Sequence, residues 1–101
     1  MAFVRAARVE EIPAGEIREV RVGEKAVALA HTSGGFCAIS GECLHRGGPL
    51  GEGSLDGTVV TCPWHGWQFD VTTGKSCLNA SEGVATYPTE IRGDEVFVDA
   101  G

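Results

Sequence analysis

The stretch ATYPTEIRGDEVFVD, Ala85–Asp99, decides the fold class. Ala85–Ile91 and Glu95–Asp99 are rich in the β-branched and aromatic residues that suit a pleated, half-buried surface, and Arg92-Gly93-Asp94 between them is turn chemistry. The pair reads as a hairpin. The same punctuation recurs upstream. In Glu16–Val22 the apolar residues Ile17, Val20 and Val22 stand among charged ones, and Gly23-Glu24 separates this run from Ala26–Ala30 as a second hairpin. Ser33-Gly34-Gly35 leads into Phe36–Ser40. Thr58–Thr61 and Trp67–Val71 are further short strands, the latter closed by Thr72-Thr73-Gly74-Lys75. Met1–Glu11 fits a short helix or an edge strand equally well. Helical periodicity is nearly absent elsewhere. Short strands with turns at intervals of roughly 8–12 residues predict an all-β sandwich or small barrel.

Composition narrows the function. A chain of 101 residues makes one small domain, 1–101, and 43% hydrophobic with 22% charged residues excludes a disordered one. No apolar run approaches the roughly 18–20 residues of a membrane span, and Met1–Glu10 lacks the apolar core of a signal peptide, so a cytoplasmic protein is expected. Eight Lys and Arg against fourteen Asp and Glu give a formal charge of −6. Such a surface repels phosphate backbones and excludes nucleic acid as a partner; a protein with a basic docking face suits it.

One segment is neither strand nor ordinary turn. Gly41–Gly57 holds Gly41, Gly47, Gly48, Pro49, Gly51, Gly53 and Gly57, and loops of this length in compact domains are commonly functional. It opens on Cys43-Leu44-His45, and Cys62-Pro63-Trp64-His65 follows it. Each box offers one thiolate and one imidazole. A Cys₂His₂ set selects zinc or an iron–sulfur centre. Zinc fingers commonly take two Cys from one knuckle and two His from a helix. Here each knuckle is mixed, which lets a two-iron cluster take His45 and His65 on one iron and Cys43 and Cys62 on the other. Tetrahedral zinc can bind the same four groups, and buried thiols with satisfied imidazoles are the plain alternative.

The boxes Cys43-Leu44-His45-Arg46-Gly47-Gly48-Pro49-Leu50 and Cys62-Pro63-Trp64-His65-Gly66-Trp67-Gln68-Phe69-Asp70 resemble the two ligand loops of the Rieske [2Fe–2S] family. Gly74-Lys75, Tyr87-Pro88 and Gly93-Asp94-Glu95-Val96-Phe97-Val98 are similar to the soluble Rieske-type ferredoxins of bacterial ring-hydroxylating oxygenases. Before Phe36 only the strand pattern agrees. The resemblance implies a Rieske β-sandwich with a small cluster-binding subdomain, its loops at about 41–70. It implies one [2Fe–2S] cluster held by Cys43, His45, Cys62 and His65. The function implied is one-electron transfer from a flavoprotein ferredoxin reductase to a terminal oxygenase, with a monomer as the default state. The chain is then a carrier, not an enzyme. With His45 and His65 assigned, only His31 is left for a mononuclear iron, and no dinucleotide-binding fingerprint is present. The alternative is a subunit like the small component of assimilatory nitrite reductase, which shares the fold.

Variable positions bear on redox tuning. Members of the cytochrome bc complexes carry an additional Cys in each loop, bridged to one another; Gly48 and Trp64 stand there, so that bridge cannot form. Those members also use a Ser and a Tyr hydroxyl toward the sulfurs, where this chain has Trp67 and Phe69. Fewer donors destabilise the reduced cluster, so a potential at the low end of about −150 to +300 mV is expected, falling at alkaline pH as the ligand imidazoles deprotonate. Gly47-Gly48 and Gly66 are expected to let backbone N–H groups approach the sulfurs, Pro49 to stiffen the loop, and Trp64 and Trp67 to shield the centre unless either is core. His45 and His65 are the expected electron exit. Cys37 and Cys77 are expected to be free thiols, His31 a surface turn residue, and Glu10-Glu11 and Asp94-Glu95 solvated. Glu42 and Glu52 flank the loop as docking candidates, with Arg46 the lone cation there.

Overall fold

The computed structural model describes residues 3–43, 48–64, 66–78 and 81–100. Ten strands follow one another: β1 (Val4–Arg8), β2 (Ile17–Val22), β3 (Lys25–Thr32), β4 (Gly35–Ser40), β5 (Ser54–Asp56), β6 (Val59–Thr61), β7 (Gln68–Asp70), β8 (Thr86–Tyr87), β9 (Thr89–Arg92) and β10 (Glu95–Val98). Two 3-10 turns, Val9–Glu11 and Leu50–Glu52, complete the regular structure among the described residues. The all-β expectation holds. Three antiparallel sheets form, in the orders β1-β10-β9, β2-β3-β4-β8 and β5-β6-β7.

β3 explains how three small sheets share a core. It is the second strand of the four-stranded sheet, and Val27, Ala28, Leu29 and Ala30 are all fully buried, because both its faces are covered. Side chains on a strand alternate between faces. Val27 and Leu29 accordingly join Val22, Ala38, Val96 and Val98 in a core shared with the β1-β10-β9 sheet. Ala28 and Ala30 join Ile39, Leu50, Val60 and Phe69 in a core shared with the β5-β6-β7 sheet. The first two layers are the sandwich. The third carries the Cys-His segments.

The turns fall where expected. β2 and β3 pair from Ile17↔Ala30 to Val22↔Lys25, and the two-residue turn begins at Gly23 with φ +64°. The Ala85–Ile91 run, by contrast, is two strands in two sheets. β8 pairs with β4 and β9 with β10, and Pro88 separates them. Proline lacks the N–H that a continuous ladder needs, so the chain changes sheet there. The Gly41–Gly57 segment also differs from a plain loop, since its second half contains the Leu50–Glu52 turn and β5. Ser54-Leu55-Asp56 has a single apolar residue and no alternation to read; pairing with Val59–Thr61 makes it a strand. Met1–Glu11 resolves into β1 followed by a 3-10 turn, with Met1 and Ala2 outside the described residues.

His31 is not a surface turn residue. It lies in β3 opposite Phe36, stacks on that ring at 4.2 Å between centroids, and its Nδ1 donates to the Ile12 carbonyl at 2.7 Å. The acidic pairs are also less free than expected. Glu95 pairs with Arg5 across β1 and β10, and Glu11 accepts from the Arg8 backbone N–H at 2.8 Å.

Candidate metal centre

Each Cys-His box is carried on the stem of a closed loop. Gly41 N–H donates to Ala26 of β3 at 2.9 Å, and Leu50 N–H donates to Gly41 at 2.9 Å. Glu42 and Pro49 form an isolated bridge, and Cys43 N–H donates to Gly48 at 2.7 Å. The chain therefore leaves and returns at one point, with Cys43 and Gly48 facing each other. The second stem repeats the device. Cys62 N–H donates to Trp67 at 2.7 Å, and Gly66 N–H donates to Cys62 at 3.0 Å. One rung outward, Gln68 Nε2 donates to Thr61 Oγ1 at 3.2 Å.

The two stems bring Cys43 and Cys62 into one core. They are 3% and 1% exposed and pack with Leu50, Val60, Phe69 and Val71. A Cβ on Gly48 would lie 2.7 Å from Cys62 Sγ and 3.3 Å from Trp64 Cβ. The two loops thus meet at a point where only a glycine passes. Gly48 and Trp64 thus face each other in a glycine–indole contact. Gly66 has a different reason for lacking a side chain. It has φ +75°, a left-handed conformation that by itself favours glycine.

This donor set fits a two-iron cluster at its sulfur side. Two thiols, soft ligands once deprotonated, converge from separate loops inside an apolar shell. His45 and His65, the remaining expected ligands, lie outside the described residues, as do Arg46 and Gly47. The tryptophans divide. Trp67 packs against the cysteine-bearing core, whereas Trp64 is 58% exposed beside Gly48 and belongs to no core. Glu42 and Glu52 are exposed on either side of the first stem.

Cys37 and Cys77 are free thiols, as expected. Cys77 is exposed. Cys37, on β4, packs against the same core as Cys43; burial pushes its thiol pKa up, the Thr32 hydrogen bond pulls it down and the Asp70 charge raises it again. The net direction is upward, which keeps Cys37 protonated and chemically quiet.

Sequence reasoning missed Gly53 and Leu50 as more than members of a glycine-rich loop. Leu50 is fully buried behind the two cysteines, and a Cβ on Gly53 would meet the Thr61 carbonyl. The available signal for Leu50 was an isolated apolar residue between glycines; clearance at Gly53 has no sequence signature.

Known proteins answer to this geometry. The family model for the Rieske [2Fe-2S] domain matches residues 2–88. The ferredoxin component of a naphthalene 1,2-dioxygenase system from Pseudomonas aeruginosa is 34% identical over 98 residues, covering 96% of this chain and 94% of that protein. The ferredoxin subunit of 3-phenylpropionate/cinnamic acid dioxygenase from Shigella flexneri is 35% identical, covering 98% of this chain and 94% of that one. Among solved structures, a chain from the complex of reduced oxygenase and oxidised ferredoxin in carbazole 1,9a-dioxygenase superposes with a TM-score of 0.85 at 32% identity, covering 95% of this chain and 91% of that chain. A nitrite reductase small subunit superposes with a TM-score of 0.83 at 15% identity, a likeness of fold alone.

Proposed function

This chain belongs to the Rieske [2Fe–2S] family, and we propose that it is the ferredoxin of a multicomponent oxygenase, carrying one electron at a time from a flavoprotein reductase to a terminal oxygenase. The observation that carries the reading is the convergence of Cys43 and Cys62, from two separate stems, into one sealed apolar core. Cys43 and Cys62 would hold one iron as thiolates, and His45 and His65 the other through imidazole nitrogens. When bound, the cluster supplies a one-electron redox couple. Phe69, Leu50 and Val60, all fully buried, keep water from the thiolate side. Phe69 brings no hydroxyl to the sulfurs, which supports a potential near the bottom of the Rieske range.

The remaining features agree with a carrier. No helix among the described residues is long and apolar enough to cross a membrane. We read the chain as one domain, 1–101, acting as a cytoplasmic monomer that docks transiently, since electron-transfer encounters bury small interfaces. The names of the similar naphthalene and phenylpropionate ferredoxins, components of dioxygenase systems, favour this reading over a nitrite reductase subunit.

The test begins with protein purified anaerobically from iron-replete cells. Two irons and two acid-labile sulfides per chain, with a Rieske-type EPR signal on reduction, are expected, together with a midpoint below about +100 mV. Replacing Cys43, His45, Cys62 or His65 by Ala singly is expected to abolish the signal. Electron delivery is then measured as reductase-dependent NADH oxidation coupled to oxygenase turnover. A colourless, zinc-loaded protein overturns the proposal.

A further inference from the structure

Gly53 stands between the two ligand loops, directly after the 3-10 turn that ends the first stem. Its backbone angles are φ −79° and ψ −168°, an extended conformation open to every residue type. The missing side chain is therefore not required by a turn. It is required by space. A Cβ on Gly53 would stand 2.1 Å from the carbonyl oxygen of Thr61 and 3.2 Å from that of Leu50. Close carbon–oxygen contacts lie at about 3.3 Å or beyond, so Thr61 would have to withdraw by about 1 Å.

Both neighbours belong to the ligand loops. Leu50 closes the first stem, and Gly53 N–H donates to its carbonyl at 3.0 Å. Thr61 immediately precedes Cys62 and pairs with Ser54, the residue after Gly53. The end of the first loop thus rests on the beginning of the second, backbone against backbone. Cys62 N–H is tied to Trp67 at 2.7 Å, so a shift at Thr61 is passed to the whole second stem. Close-packed interiors transmit such strain because there is little free volume to absorb it.

We propose that Gly53 is a positioning residue for the cluster: its lack of a side chain sets the separation of the two ligand loops, and so the geometry in which Cys43 and Cys62 meet the iron. The inference rests on the reading of Cys43 and Cys62 as ligands. Gly57, at the other end of β5, supplies the contrast. It has φ +63° and nothing within 4 Å of a would-be Cβ, so it serves the turn and touches neither loop.

Gly53→Ala and Gly57→Ala are compared with the unaltered holoprotein by EPR of the reduced cluster, by midpoint potential and by the rate of iron release to a chelator. Gly53→Ala is expected to shift the g values and the midpoint and to release iron at least about fivefold faster, the lower end of what overpacking costs. Gly57→Ala is expected to weaken the fold while keeping the unaltered protein's g values and midpoint. Unaltered g values, midpoint and release rate in Gly53→Ala overturn the proposal, as does an equal shift in Gly57→Ala. Absence of iron from the unaltered protein overturns the ligand reading instead. Should Gly53→Ala not fold, hydrogen exchange of the unaltered holoprotein decides. The amides of Gly53 and Cys62 are expected to open together, with one common opening constant; opening constants that differ by more than about fivefold overturn the coupling.

Discussion

Two leucines offer a matched experiment on the division of the core. Leu50 and Leu29 are both 0% exposed, Leu50 in the core that holds Cys43 and Cys62, Leu29 in the core on the opposite face of β3. Truncation to Ala removes the same three carbons at each site, about 2.4 kcal/mol of transfer free energy at roughly 0.8 kcal/mol per carbon. A cavity contribution is added, and measured Leu→Ala losses in cores run about 2–5 kcal/mol. At roughly 4–8 °C per kcal/mol for a domain of this size, each variant is expected to melt at least about 10 °C below the parent protein. The variants part company at the cluster. Leu50 backs the thiolates and its N–H closes the first stem on Gly41, so Leu50→Ala opens a void beside Cys43 and Cys62. Leu29→Ala opens its void on the far side of a fully buried strand. Melting is followed by circular dichroism, and iron release to a chelator by visible absorbance at a temperature where both variants are folded. Leu50→Ala is expected to release iron much faster than Leu29→Ala at equal loss of melting temperature. Equal release rates would show that the two cores are not mechanically separate, and a loss under 1 kcal/mol in either variant would refute the burial reasoning itself.

Phe69 is fully buried beside Cys62, so Phe69→Tyr tests whether a missing hydroxyl keeps the potential low. A hydrogen bond strengthened by about 0.5–1.5 kcal/mol in the reduced state raises a one-electron midpoint by about 20–65 mV, and potentiometry showing no rise would reject it. Cys37 has its pKa raised above the ordinary 9.0. The native state therefore holds a proton that the unfolded chain gives up, and this contribution to stability is complete below the unfolded pKa and lost as pH rises through the folded one. Denaturation midpoints are expected to decline above about pH 9, less steeply in Cys37→Ala. Alkylation followed by mass spectrometry is expected to modify exposed Cys77 well before Cys37. Arg5 and Glu95 pair at half-exposed positions, so Arg5→Ala is expected to cost under about 1 kcal/mol by urea titration.

The sequence made the strands legible wherever apolar residues and turn residues alternated, as at Ile17–Val22 and Glu95–Val98. It failed where tertiary contact supplied what local pattern did not. β5 has one apolar residue and exists because β6 lies alongside it. Pro88 is plain in the sequence, but a proline in a strand-like run marks a break without saying that the two halves enter different sheets. His31 looked like a turn residue from Thr32-Ser33-Gly34 beside it, and only the Ile12 carbonyl and the Phe36 ring show it packed. Within the candidate site, Cys43 and Cys62 stand out as a pair because each belongs to a mixed Cys-His box, and the structure brings both into one core. Trp64 and Trp67 were not separable, because exposure depends on what crosses each ring, and Gly48 closes against one while the core closes against the other.

A small domain buries only part of its surface, so its apolar residues have to serve both the sandwich and the metal site. Here the two tasks fall on opposite faces of the same strand. Val27 and Leu29 face the sandwich; Ala28 and Ala30 face the ligand layer. The residues differ in size accordingly. Alanines on the ligand side let Leu50, Ile39 and Phe69 pack in the core that β3 shares with Cys43 and Cys62, and the first stem is tied to β3 where Gly41 N–H donates to Ala26. The ligand layer itself is thin, three strands of three residues, and its backbone comes so close at Gly53 that a Cβ there would stand 2.1 Å from the Thr61 carbonyl oxygen. An electron carrier has a direct use for such an arrangement. The less the ligand set relaxes between oxidation states, the less the protein must rearrange with each transfer, and two stems drawn into one close-packed core limit that relaxation.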